Sequence, residues 1–267
     1  KRKKIPVLVE FFSKKLAKKL SKKRKKADLI IGNNVYAHVP DINDVTYGVS
    51  IILKPAGVVT LEFPHLMRMV EHCQFDTVYH EHFSYLSLKT VMKIFGSAGL
   101  RIFDVDELPT HGGSLRVYGC RKDAKFGTSY AVNKLISLEE EFGLTNLKSL
   151  SSFQKRVNKI KDDLLQFLLN AKRDGKKVVG YGAAAKGSTL LNYAGIKSDL
   201  LPFICDAAVA KQGKVMPGSH IPIVSPDRLA LEQPDYILIL PWNIADEVTE
   251  KLSQISEIEA KFLIAVP

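Results

Sequence analysis

The densest cluster of titratable side chains in the sequence is Tyr79-His80-Glu81-His82. Histidine is the usual general acid or base because its ordinary pKa lies near neutrality. An adjacent tyrosine or carboxylate can orient it or share its proton. The same four residues also suit a solvated loop, or a metal site, since His-x-His with a glutamate can ligate zinc. A second polar set, Asn33-Asn34-Val35-Tyr36-Ala37-His38, follows the apolar run Leu29-Ile30-Ile31. Polar residues at a strand's carboxyl end in an open α/β sheet face the ligand crevice. Asn33 and His38 stand out for that reason, beside the plainer readings of a capping asparagine and a packed histidine.

Two glycine-containing stretches add to this. Thr110-His111-Gly112-Gly113-Ser114-Leu115-Arg116 joins two strand-like runs. Its glycines either serve only the turn or leave backbone amides and Arg116 free to meet a substrate. Gly180-Tyr181-Gly182-Ala183-Ala184-Ala185-Lys186-Gly187 links a strand to a helix and meets the loose G-x-G-x-x-A pattern, with Asp206 ending the next strand. In a dinucleotide site, helix-start amides hold phosphates and the acid holds a ribose. Lys186 would add a point charge for phosphate. The alternative is a glycine turn used for tight packing.

The elements that must position these residues fall into three zones. In residues 1–125, helix and strand patterns alternate: strands at 29–31 and 58–63, a helix at 45–53 that stops before Pro55, a helix from the Ser87 cap to Gly99, and an antiparallel closing pair at 100–105 and 114–120 with a turn at 109–113. Residues 126–173 are mostly helical. Phe153, Val157, Ile160, Leu164 and Leu168 mark one long amphipathic helix, read as a spacer or an oligomer-forming arm. In residues 174–267, strands at 177–181, 201–205, 236–240 and 262–266 alternate with helices at about 186–193 and 243–254, the pattern of a parallel α/β sheet.

Composition excludes several classes. The chain has 267 residues, 46% hydrophobic and 25% charged, which argues for a globular protein of about two domains. No run reaches the roughly 20 apolar residues of a membrane span, so no membrane partner is expected. Three scattered cysteines supply neither a disulfide framework nor a four-cysteine zinc site, and a reducing cytoplasm is the expected location. The net charge of +11 is local: residues 1–26 hold 13 Lys/Arg against one acid, while the rest is nearly neutral. Phe11, Phe12, Leu16 and Leu20 recur at helical spacing among these lysines. That favours a surface helix with a solvated basic face over a nucleic-acid partner.

Taken together, the stretches DLIIGNNVYAHVPDINDV, LKPAGVVTLEFPHL, QFDTVYHEHFSYLSL, GLRIFDVDELPTHGGSLRVYGC, GYGAAAKGSTLLNYAGI and KQGKVMPGSHIPIVSP resemble the S-adenosylmethionine (SAM)-dependent C-methyltransferases that act on deoxysugar nucleotides. The resemblance runs from about Phe11 to the C-terminus. It implies an α/β chain in which 1–125 is the carboxyl-terminal part of a class I methyltransferase domain. Residues 126–173 are then a helical linker, and 174–267 a Rossmann-like domain that helps hold the nucleotide sugar. The family's cysteine-rich zinc module and the glycine-rich loop and ribose acid of its methyltransferase domain have no counterpart in this sequence. The expectation is therefore a fragment or truncated form, inactive alone, without zinc and with an incomplete SAM site.

By position in the resemblance, His82 becomes the base, assisted by Tyr79 and Glu81, with His38 across the sugar pocket. Asn33 and Asn34 fall on the SAM side. His111, Ser114, Arg116, Gly182 and Lys186 are expected to bind a nucleotide diphosphate sugar. The implied reaction removes a proton beside a sugar ketone, and the enolate takes the methyl group. Two other functions compete: an NAD-dependent oxidoreductase using the 180–187 loop and Asp206, and a non-catalytic nucleotide-sugar-binding remnant.

Overall fold

A computed structural model of the chain describes residues 6–23, 26–254 and 259–266. The chain forms two compact units: Lys1–Met67 with His82–Gly143, and Arg68–Glu81 with Leu144–Pro267.

The first unit is built from α1 (Lys14–Lys22), β1 (Ala27–Asn33), α2 (Ile42–Ile52) and β2 (Leu53–Pro64). The start of α3 (Leu66–Glu71) leads the chain out. It returns for α4 (Leu88–Ser97), β3 (Leu100–Leu108), β4 (Ser114–Arg121) and α5 (Tyr130–Phe142). Its sheet has the order β1-β2-β4-β3. β1 and β2 are parallel, and β4 is antiparallel to both β2 and β3. This is the expected pair of parallel strands followed by an antiparallel closing pair. β2 is central, and its Leu53, Val59, Leu61 and Phe63 are buried. β1 lies at the edge with Leu29 and Ile31 exposed.

Several boundaries differ from the sequence reading, each for a local reason. α2 starts at Ile42 rather than 45 because the Asp41 carboxylate accepts the Asp44 amide at 2.9 Å, an N-cap. β2 begins before Pro55, which is tolerated because the β1–β2 register is irregular there, between Ala27 and Leu29. Ser87 caps α4 as expected, its Oγ accepting the Thr90 amide. Phe11 is 98% exposed and, with Phe12, precedes α1 instead of lying on its apolar face, because Ser13 caps the helix.

The stretch 126–173 is not one spacer. It holds two helices, and they belong to different units. α5 packs in the first, where Glu139 is buried and accepts the Leu88 and Lys89 amides at the start of α4 and the His65 Nε2–H at 2.8 Å. One carboxylate thus satisfies two orphan helix-start donors and braces the end of β2.

α6 (Leu147–Arg173) opens the second unit's long continuous part, followed by β5 (Val178–Tyr181), α7 (Ala185–Ala194), β6 (Ile204–Cys205), β7 (Ile223–Val224), α8 (Arg228–Glu232), β8 (Tyr236–Ile239), α9 (Ala245–Ser253) and β9 (Lys261–Leu263). These strands form a parallel sheet of order β7-β6-β5-β8-β9. The apolar stripe of α6, including Val157, Leu164 and Leu168, lies in this unit's core with Leu190, Ile204 and Leu238. Burial of each such leucine contributes about 1.5–3 kcal/mol, so this face is not left for an oligomer contact. No described helix is long and apolar enough to cross a membrane.

Candidate functional site

In the first unit the carboxyl ends of β1 and β2 and the start of β4 meet at one end of the sheet, where Glu62 pairs with both Asn33 and Arg116 in register. The chain leaves β1 at Asn34, whose backbone is left-handed (φ 53°) and whose amide donates to the Glu62 carbonyl at 2.9 Å. His111, in the Thr110–Gly112 turn between β3 and β4, is also left-handed (φ 56°). The Asn34 side-chain amide and His111 Nε2 lie 3.1 Å apart. Non-glycine residues in this conformation cost about 1–3 kcal/mol each and cluster where a site demands them. The expected pocket residues Asn34 and His111 are therefore joined directly.

Glu62 fastens this arrangement. It is 4% exposed, and its carboxylate accepts from Arg116 at 2.7 Å and from the Thr110 hydroxyl at 3.2 Å. Arg116 is thus paired within the protein, and Glu62 holds its pKa above the ordinary value, helped by Tyr118. Ser114 is buried, with its hydroxyl donated to the Thr110 carbonyl. It shapes the turn and offers no free group. Asn33 is exposed.

His38 and His82 come together in the same unit. His38 closes the Tyr36–His38 turn after β1, and the Ala37 carbonyl accepts the Phe83 and Ser84 amides at 2.9 and 3.2 Å. The two imidazole rings lie 4.8 Å apart between centroids, tilted by 37°, and Tyr85 meets the His82 ring edge-on at 6.0 Å. Tyr36 anchors the turn from below, its ring against Phe63 and Phe95 and its hydroxyl 2.7 Å from that of Thr46. Tyr79, His80 and Glu81 fall in the second unit, with Tyr79 half-buried and His80 and Glu81 exposed. Among the described residues no group of three or more His, Cys, Asp or Glu is gathered to hold a metal.

The second unit carries a crevice of about 360 Å³ at the carboxyl ends of β5, β6 and β8, lined by Tyr181, Gly182, Asp206, Lys211, Pro241 and Lys251 among others. Gly182 is required there: its φ is +87°, and a Cβ would sit 2.5 Å from Pro241 Cδ. Lys186 does not line the crevice. Its ammonium donates to Asn243 Oδ1 at 2.6 Å and lies 4.1 Å from the centre of the Trp242 ring. Burial lowers its pKa, against the pull of Asp76.

The carboxylate of Asp206 is already engaged. Oδ2 accepts the Ala183 amide at 2.7 Å and Lys211 Nζ at 3.0 Å, and Oδ1 accepts the Ala208 amide at 2.8 Å. Burial alone would raise its pKa, yet these bonds hold it below the ordinary value. A ribose diol would have to displace Lys211, so the fingerprint expected for NAD is structurally spent on the turn. Sequence reasoning passed over Glu62, Asp76, Lys211 and Trp242. Glu62 had a signal, as the one acid in the strand-like run 58–63; the other three had none.

A family model described as the C-methyltransferase C-terminal domain matches residues 109–267. The C-methyltransferase NovU of Streptomyces niveus is 36% identical over 256 residues, which is 96% of this chain and 61% of that protein. The chain therefore spans 61% of the length of the curated relative it matches. Among solved structures, the complex between the Haloferax volcanii Trm112 methyltransferase activator and the putative methyltransferase aligns over 36% of this chain and 55% of that one, at 15% identity and TM-score 0.31. A putative S-adenosylmethionine dependent methyltransferase from Listeria monocytogenes aligns over 36% and 62%, at 12% identity and TM-score 0.29. Overlaps this small say nothing about function.

Proposed function

The chain belongs to the C-methyltransferase C-terminal domain family, and from that premise we propose that it serves methyl transfer to a carbon of a nucleotide-linked keto-deoxysugar. The observation that carries this reading is the His38–His82 pair, two imidazoles 4.8 Å apart and tilted by 37°, beyond the carboxyl end of β1, where α/β sheets place their ligands. His82 is the base that removes the proton beside the ketone, with His38 across the pocket. The backbone just after His82 is held by the Ala37 carbonyl, and the ring itself lies against His38 and Tyr85, so little reorientation is needed before proton transfer. Tyr79 and Glu81 assist, the tyrosine as a donor to the developing oxyanion.

In the first unit His111 and Arg116 are assigned to the sugar; in the second, Gly182 is assigned to a nucleotide diphosphate, which Lys186 reaches only by leaving Asn243. SAM supplies the methyl group when bound. Asn33 and Asn34 fit one side of such a donor, and two asparagines do not complete a site for a nucleoside of that size. The 61% share of NovU's length accords with the rest of that site lying elsewhere in a longer protein.

Isothermal titration of the chain with a nucleoside diphosphate-linked keto-deoxysugar tests the reading. Saturable binding supports it. Binding of NAD with none of the nucleotide sugar would transfer the assignment to an oxidoreductase, which the engaged Asp206 disfavours.

A further inference from the structure

Within the second unit, the buried 3-10 turn Phe75–Thr77 comes immediately before the stretch that carries Tyr79, His80 and Glu81. Its middle residue, Asp76, is 0% exposed. Oδ2 accepts the Trp242 indole N–H at 2.7 Å, and Oδ1 has no protein partner. A buried carboxylate with half its acceptor capacity unused is costly, and an apolar residue would fill the position at less expense.

The groups facing the turn come from three directions. From α7, Lys186 presents its ammonium over the same Trp242 ring, and the Tyr193 ring packs on Phe75 at 5.3 Å. From α6, the Arg156 guanidinium bonds the carbonyls of Val70 and Glu71. Cys73 precedes the turn and is buried. Trp242 and Asn243 close the far side, the latter holding Lys186. Asp76 thus fastens the turn to the segment that follows β8.

We propose that Asp76 is a positioning residue for Tyr79, His80 and Glu81: by accepting the Trp242 indole N–H it fixes the turn from which they leave. The inference rests on the reading that this stretch serves catalysis, but the fastening itself is measurable without turnover. Burial pushes the Asp76 carboxyl up to about 6, against the Trp242 bond and Lys186. Opening the turn exposes Asp76 to water and returns it to its ordinary acidity. The fastening is therefore tightest below about pH 4 and loosens as pH rises through 6.

Trp242 is the single tryptophan of the chain, so its emission reports this contact. In the full chain, Asp76→Ala leaves the half-buried indole N–H without this acceptor. Emission shifts to the red, and amide exchange at 75–80 rises by about tenfold or more. Asp76→Asn keeps an acceptor oxygen and restores both. If Asp76→Ala does not fold, Trp242→Phe removes the donor from the other side and raises exchange at the same amides. After correction for intrinsic rates, exchange at 75–80 rises from pH 5 to pH 7 in the parent protein and stays level in Asp76→Asn. Unchanged exchange in Asp76→Ala and Trp242→Phe overturns the proposal, as does an Asp76→Asn variant as loose as Asp76→Ala. If the fastening is measured but His82→Ala leaves C–H proton removal intact, the functional reading fails and the fastening stands.

Discussion

Asn34 and His111 meet at 3.1 Å with both backbones in the left-handed region. They sit 77 residues apart in the sequence, and each alone is strained. The bond ties the exit of β1 to the turn between β3 and β4, and Glu62 holds that turn through Thr110 and Arg116.

Asn34→Ala removes the bond and places a residue with a Cβ but no local amide in a left-handed position. It should cost about 1–2 kcal/mol in denaturant melts. Asn34→Gly loses the same bond without the backbone penalty and should cost about half as much or less. Equal losses would show that the φ of Asn34 carries no strain.

Glu139→Ala should be among the most damaging substitutions in the first unit. It strands His65 and the Leu88 and Lys89 amides, all bonded to one buried carboxylate. A loss of about 3–5 kcal/mol is expected, read as a fall in denaturation midpoint. A loss under about 1 kcal/mol would mean the brace is not formed in solution.

The carboxyl of Asp76 is raised from 3.8 to about 6 in the fold, so its favourable contribution is present below pH 4 and lost as pH rises through 6. The stability of the parent relative to Asp76→Asn should therefore fall between pH 4 and pH 7, by on the order of 3 kcal/mol at most. Thermal melts of both proteins across that range measure the difference. A rise with pH would reverse the sign and contradict the raised value.

Asp206 predicts ligand choice. Its carboxylate is held by Lys211 and two backbone amides, so NAD should leave the melting temperature unchanged. A nucleotide diphosphate sugar should raise it increasingly with concentration. If Asn33 and Asn34 form only one side of a SAM site, as proposed, SAM alone should give little shift. Lys186→Ala should weaken the sugar-nucleotide effect only if the ammonium leaves Asn243 to meet phosphate; an unchanged shift would assign the phosphates to the residues lining the crevice.

Much of this was legible in the sequence because local chemistry decided it. Ser87 and Gly99 bracket α4, the apolar runs before Gly32 and at 178–181 become strands, and the α6 stripe reads at helical spacing. What could not be read depends on partners distant in sequence. Nothing near Glu139 announces that it caps a helix 50 residues earlier, and nothing near Asp76 points to Trp242. The spacing of Gly182, Lys186 and Asp206 fits a dinucleotide fingerprint, yet Lys211, which spends Asp206, lies beyond the motif. The division of 126–173 between two units was hidden for the same reason: periodicity finds a helix but not what it packs against.

The central claim is that His82 removes a proton beside a sugar ketone, and that step is observable without methyl transfer. The measurement is proton NMR of a nucleotide-linked keto-deoxysugar incubated with the chain in D₂O. The account predicts protein-dependent loss of the signal from the carbon next to the ketone, slowed by about a hundredfold or more in His82→Ala, with binding of the sugar nucleotide retained. Exchange at the same rate in the parent and His82→Ala, or bound sugar with no exchange in the parent, would contradict it.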